Sequence, residues 1–272
     1  MADLQDDAFR DDPAIRLTTS GLTAAEAEAY RRQFLHVLFK SAALNGGIFQ
    51  FAPDDKSCGA IWLPPGKKVD NPITALQAGF LGVIRKLGFK GSKRIMIEFP
   101  SLTAARKKAH LVPLTKRYHY LFFLGCATAA QGKGLGGAVL KRTQDRILAS
   151  GPNASTITLP PGDTPLEFLP IWLESSSLGS KRLYERCGFR QVGEDCILAK
   201  GTHDGDGRPV SGEMKGKGEG VRIYPMIWVP EGFRGDDGSV AAAPPVVERS
   251  QAVPTQTAPA AATPVVAAPV AS

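Results

Sequence analysis

A strand that runs straight into a glycine-rich turn and then a helix limits what this chain can fold into. Residues 118–128 are nearly all apolar and suit a buried strand, and residues 135–149 carry helical periodicity. Between them lies Gln131-Gly132-Lys133-Gly134-Leu135-Gly136-Gly137. Glycines let the backbone turn tightly and leave amide N–H groups unshielded by a Cβ. The first turn of the helix adds unpaired N–H groups and the positive end of its dipole. Together they predict a site for a pyrophosphate, with Lys133 as a mobile positive charge beside it.

Two other phosphate loops compete for the same string. Gly132, Gly134 and Gly137 satisfy Gly-x-Gly-x-x-Gly, but a dinucleotide fold needs an acid about twenty positions on, at the end of the next strand. Residues 155–159 hold none. A P-loop requires Gly-Lys-Ser/Thr at a spacing that is absent here. A glycine turn with no ligand is the remaining alternative for so short a pattern.

The surrounding elements predict a mixed α/β sheet. Residues 15–17 suit a short strand, and Thr23 caps a helix reaching about residue 43. Residues 48–51 and 58–63 flank Pro53-Asp54-Asp55-Lys56 as a hairpin. Helices are expected over residues 73–87 and 93–109, a strand over 171–175 and a short helix over 180–187 stopped by Gly188. Antiparallel strands over 190–198 and 221–229 complete the series, separated by an exposed loop at 203–220. Residues 1–12 are acidic and read as a flexible terminus, 13–234 as the folded domain, and 235–272, rich in Ala and Pro, as a disordered tail.

The second half of the folded region carries Ile171-Trp172-Leu173-Glu174-Ser175-Ser176-Ser177-Leu178-Gly179-Ser180-Lys181-Arg182-Leu183-Tyr184-Glu185-Arg186-Cys187-Gly188-Phe189. An acidic strand residue, a Leu-Tyr-Glu helix and a Gly-Phe exit, following a Gln-Gly-Lys-Gly loop, closely resemble the signature of the GCN5-related N-acetyltransferase (GNAT) superfamily. The strong resemblance covers residues 118–193. The segment Ala60-Ile61-Trp62-Leu63-Pro64-Pro65-Gly66 is similar to the branch containing puromycin N-acetyltransferase.

That resemblance implies a mostly antiparallel sheet flanked by helices, with two splayed strands between which acyl-CoA threads. The backbone of Leu124, Gly125 and Cys126 would pair with the pantetheine arm, and residues Gln131, Gly132, Lys133, Gly134, Leu135, Gly136 and Gly137 would hold the pyrophosphate. Tyr184 aligns with the family's general acid. A phenol is protonated at neutral pH and can give its proton to a departing thiolate; a plain core aromatic is the competing role. Glu174 is the candidate base for an amine acceptor, with Glu98 as its rival. Ala127-Thr128 stands where relatives often have Asp-Pro, and Ser177 where many have Asn.

The implied function is acetyl transfer from acetyl-CoA to a primary amine of a small molecule. A hydroxyl acceptor and a CoA-binding protein without turnover are the alternatives. Charge separates few classes. The net charge is +7, and residues 61–150 carry sixteen Lys and Arg against three acids. No aromatic-studded basic strand accompanies that charge, so nucleic acid is not the expected partner. No apolar run is long enough to span a bilayer and no leader is recognisable, so no membrane partner and a cytoplasmic location are expected. Cys58, Cys126, Cys187 and Cys196 lack metal-ligand spacing and read as buried reduced thiols, with no metal.

Overall fold

The computed structural model describes residues 1–69, 71–93 and 97–239. The expected tail from residue 240 onward, and the stretch 94–96 of the expected second basic helix, lie outside the described residues.

The chain opens with three helices, α1 (Ala2–Ala8), α2 (Pro13–Thr18) and α3 (Ala24–Leu44). The hairpin β1 (Ile48–Ala52) and β2 (Asp55–Leu63) follows, then α4 (Pro72–Ala78), α5 (Phe80–Lys93) and α6 (Phe99–His110). The central unit is β3 (His119–Cys126), α7 (Leu135–Leu148), β4 (Ile171–Ser175) and α8 (Leu178–Arg186). Two short strands, β5 (Arg190–Gln191) and β6 (Cys196–Leu198), precede β7 (Val221–Trp228). The strands join in the order β1-β2-β3-β4-β7-β5, with β6 also on β7; every pairing is antiparallel except β3 with β4. The fold is the mixed, mostly antiparallel sheet that the sequence predicts.

Helices cover both faces. Val139, Leu140 and Ile147 of α7 pack with Trp62, Leu121, Ile171 and Leu173 on one side. Tyr30, Phe34 and Leu35 of α3 pack with Ile61 and Leu63 on the other. Each such side chain, fully buried, contributes about 1.5–3 kcal/mol. Thr23 and Glu26 form a reciprocal capping box that starts α3. No described helix is long and apolar enough to cross a membrane.

Five expectations are corrected. Residues 1–12 are not loose: Gln5 Nε2 donates to Gly59 O of β2 at 2.8 Å, and Asp6 pairs with Arg31 at 2.7 Å and Arg32 at 3.0 Å on α3. The acids that made this segment look solvated are its anchors. Residues 15–17 lie in a helix, because Asp12 caps α2 and Pro13 starts it. The single helix expected at 73–87 is two, parted by Gly79 at φ 102°. Cys58 and Cys126 are not free thiols; the β2–β3 register sets them opposite each other, with Cα atoms 3.9 Å apart, and they form a disulfide. Cys187 and Cys196 remain free. Residues 235–239, assigned to the tail, are tied to the domain: the Asp236 carboxylate accepts from Thr115 Oγ1 and Lys116 N–H, both at 2.9 Å.

Candidate active site

The geometry that matters most is a broken strand pair. Strands β3 and β4 run parallel but are in register only at His119 with Ile171 and Tyr120 with Trp172. Beyond that point β3 stays paired with β2 as far as Cys126, and β4 stays paired with β7 as far as Ser175. Their facing edges separate, leaving the edge of β3 turned away from β2 without a strand partner; alternation along the strand puts the backbone groups of Leu124 and Cys126 on that edge and turns those of Gly125 towards Gly59 of β2. A cleft of about 1760 Å³ opens there, bounded also by residues 131–137, by α8 and by the N-terminal segment. The Cys126 side chain is committed to Cys58, so this position offers a ligand its backbone.

The glycine turn sits at one end of the cleft. Gly132 and Gly134 have φ of 78° and 79°, and the space beside each is open. Gly134 is the N-cap of α7, and no side chain caps the first turn. Its N–H groups therefore keep their positive potential for an outside anion. Lys133 is exposed beside them, and Gln131 Nε2 braces the turn by donating to Cys126 O at 3.3 Å. Gly136 is glycine for a different reason: a Cβ there would lie 3.1 Å from Leu183 of α8. The donor set and the open space fit a pyrophosphate.

Tyr184 projects from α8 into the cleft and is buried, its ring 5.7 Å from that of Phe189. Burial, and then the charge of Asp12, push its phenol well above the ordinary tyrosine value. The helix is started by Ser177, whose hydroxyl accepts from Ser180 N–H at 3.2 Å and lies 2.8 Å from Ser180 Oγ. Serine at this position thus caps the first turn of α8.

Glu174 lies on β4 at the closed end of the cleft, its side chain 2% exposed. Trp172 Nε1 donates to its Oε1 and Tyr120 Oη to its Oε2, both at 2.6 Å. Lys107 of α6 places Nζ 3.2 Å from Oε1, and that ammonium also sits 4.4 Å from the Tyr120 ring centroid and 5.9 Å from Trp172. Both carboxylate oxygens are engaged. Glu98 is elsewhere: its Oε1 accepts from Ala199 N–H at 2.9 Å, and it does not line the cleft. An apolar run with a lone acid pointed to both residues and could not tell a cleft-lining acid from a backbone clamp.

Sequence reading missed three groups here. Lys107 was one of many basic residues on an amphipathic helix, Tyr120 one aromatic in an apolar strand, and Asp12 one acid in an acidic terminus. Asp12 lies in the cleft; its carboxylate caps α2 and accepts from the Ser176 hydroxyl. Only the Asp-Pro at the start of α2 marked Asp12 locally, as an N-cap.

No family model matches the chain. The sequence is similar to that of an uncharacterized N-acetyltransferase of Schizosaccharomyces pombe, 25% identical over 183 residues, 67% of this chain and 66% of the relative. The match thus spans slightly under two thirds of the relative's length. Among solved structures, one described as a histone acetyltransferase HPA2 and related acetyltransferase from Corynebacterium glutamicum aligns over 85% of this chain and 89% of its own, with 19% identity and a TM-score of 0.45. A mosquito arylalkylamine N-acetyltransferase-like protein aligns over 64% and 74%, with 13% identity and a TM-score of 0.33.

Proposed function

We propose that this chain, a member of the GNAT superfamily by its motifs, its fold and its curated relative, transfers an acetyl group from acetyl-CoA to a primary amine of a small molecule. One observation carries the reading: β3 and β4 part beyond Tyr120, and an uncapped helix N-terminus preceded by open glycines stands at the end of the gap. A thioester with a long polar arm and a pyrophosphate fits that combination. The arm runs along the free edge of β3 beside Leu124, Gly125 and Cys126, bonding the backbone groups that point away from β2, and the pyrophosphate meets the N–H groups of residues 131–137.

The chemistry follows from the groups around the gap. Backbone N–H donors on β3 stabilise the negative charge that gathers on the thioester oxygen as the amine attacks. Tyr184, kept protonated by burial, gives its proton to the departing thiolate. The acceptor enters from the side walled by the N-terminal segment and by α4 and α5, which line the rest of the cleft. A hydroxyl acceptor would use the same donor half.

Thermal unfolding with and without acetyl-CoA tests the donor site, since a ligand bound only to the folded state raises the midpoint by mass action. Thiol release from acetyl-CoA, measured against a panel of amines and alcohols, tests the acceptor. Turnover confined to alcohols would replace the amine with a hydroxyl. Stabilisation by acetyl-CoA without turnover of any acceptor would favour a CoA-binding protein.

A further inference from the structure

The carboxyl group of Asp12 has two jobs. Its Oδ1 accepts from Ala14 N–H at 2.9 Å and Ile15 N–H at 3.0 Å, which caps α2. Its Oδ2 accepts from the hydroxyl of Ser176, just past the end of β4. Five residues earlier, Asp7 Oδ2 accepts from Thr128 N–H at 2.7 Å, just past the end of β3. The segment from Asp7 to Asp12 therefore reaches from the end of one splayed strand to the end of the other. It carries the Asp12 carboxylate into the cleft, within electrostatic reach of the Tyr184 phenol.

Helix capping explains only half of this. A cap needs one short acceptor, and serine or asparagine serves as well as aspartate. It does not call for a second, charged oxygen facing the reaction cleft. The contrast with Glu174 is direct. The Glu174 carboxylate already faces an ammonium, that of Lys107 at 3.2 Å, whereas Asp12 has no ion pair among the described residues and its Oδ2 is held by one hydroxyl that can rotate away.

We propose that Asp12 is a catalytic residue whose carboxylate takes the proton from the acceptor's ammonium group. The proposal rests on the acetyl-transfer reading of the cleft. The ammonium gives one proton to Asp12 Oδ2, and the freed amine attacks the thioester carbonyl carbon. As the C–S bond breaks, the thiolate takes its proton from Tyr184. The nitrogen, now an amide with one surplus proton, returns that proton to the Tyr184 phenolate. Asp12 releases its own proton to solvent, so one proton leaves per turnover.

The surroundings of Asp12 suit that task. Burial, the largest influence, pushes its carboxyl above the usual aspartate range, against the bonds from Ser176, Ile15 and Ala14 and the charge of Arg16. A base whose proton affinity is raised towards neutrality accepts a proton more readily at working pH. The charged and titratable groups set against it are Arg16 on its own helix and Tyr184 on α8.

Asp12→Asn separates the two jobs, because the asparagine amide oxygen keeps the cap and its NH2 can donate to the Ser176 hydroxyl oxygen, while the base is lost. The expected result is an unchanged unfolding midpoint, an unchanged midpoint shift with acetyl-CoA, and a kcat lower by about 100-fold. The deficit should shrink as pH rises towards the pKa of the acceptor amine, where the free base no longer needs deprotonation. Asp12→Ser, which also caps, provides the same comparison should the asparagine variant fold poorly. Wild-type kcat and pH profile in either folded variant would overturn the proposal while leaving acetyl transfer intact. A wild type that acetylates no amine would instead remove the acetyl-transfer reading, and the role of Asp12 with it.

Discussion

Lys107 holds its ammonium 3.2 Å from Glu174 Oε1 and 4.4 Å from the centre of the Tyr120 ring, whose hydroxyl donates to the other oxygen of the same carboxylate. Three elements, α6, β3 and β4, thus meet at one buried charge pair where the splay begins. The pair closes the inner end of the cleft.

Breaking that pair on one side leaves a buried charge without its partner. Lys107→Met and Glu174→Gln are each expected to destabilise the protein by about 3 kcal/mol, measured by urea unfolding. The double variant should lose less than the two losses added, because neither charge is then stranded. Strict additivity would mean that the two side chains do not depend on each other.

Gly134 has open space beside it, so a larger residue would suffer from its backbone and not from a clash. At φ 79° a β-branched residue is strained by about 1–2 kcal/mol. Gly134→Val is expected to weaken acetyl-CoA binding by roughly tenfold or more in calorimetry, since relieving the strain turns the α7 N-terminus away. Equal affinity would make the glycines a turn and nothing else.

Removing only the hydroxyl of Tyr184 leaves its packing against Phe189 in place. Tyr184→Phe should lower kcat by about 100-fold with little change in the KM for acetyl-CoA. The phenol's pKa is raised by burial, so in the wild type its ionisation should produce no loss of activity up to pH 10. A basic limb below that value would have to come from another group.

His119 is buried at the start of β3, where Nε2 bonds Glu167 O at 2.9 Å, and burial lowers its pKa below the ordinary 6.5. The unfolded chain then binds a proton that the folded chain refuses. Stability is therefore complete above about pH 6.5 and falls as pH drops from there towards the folded-state pKa. His119→Gln should flatten the midpoint between pH 7 and pH 5; an unchanged slope would assign the effect elsewhere.

Much of the glycine-turn side of the cleft was legible because it is local. The Gln131–Gly137 string and the Leu-Tyr-Glu helix each take their geometry from neighbours along the chain. Backbone conformation is set within a few residues, and glycine or a capping side chain writes it into sequence directly. Alternation of apolar segments likewise foretold the mixed sheet.

What only the tertiary structure decided is which distant residues share the cleft. Asp12 meets Ser176 across 164 positions, Cys58 meets Cys126 across 68, and Lys107 reaches Glu174 on β4 from α6. A sequence prints each of these as an isolated acid, thiol or base, since charge and thiol chemistry have no period along the chain. Strand register and helix packing then assign the partners, and a partner determines whether a carboxylate anchors a helix, closes a cleft or takes a proton.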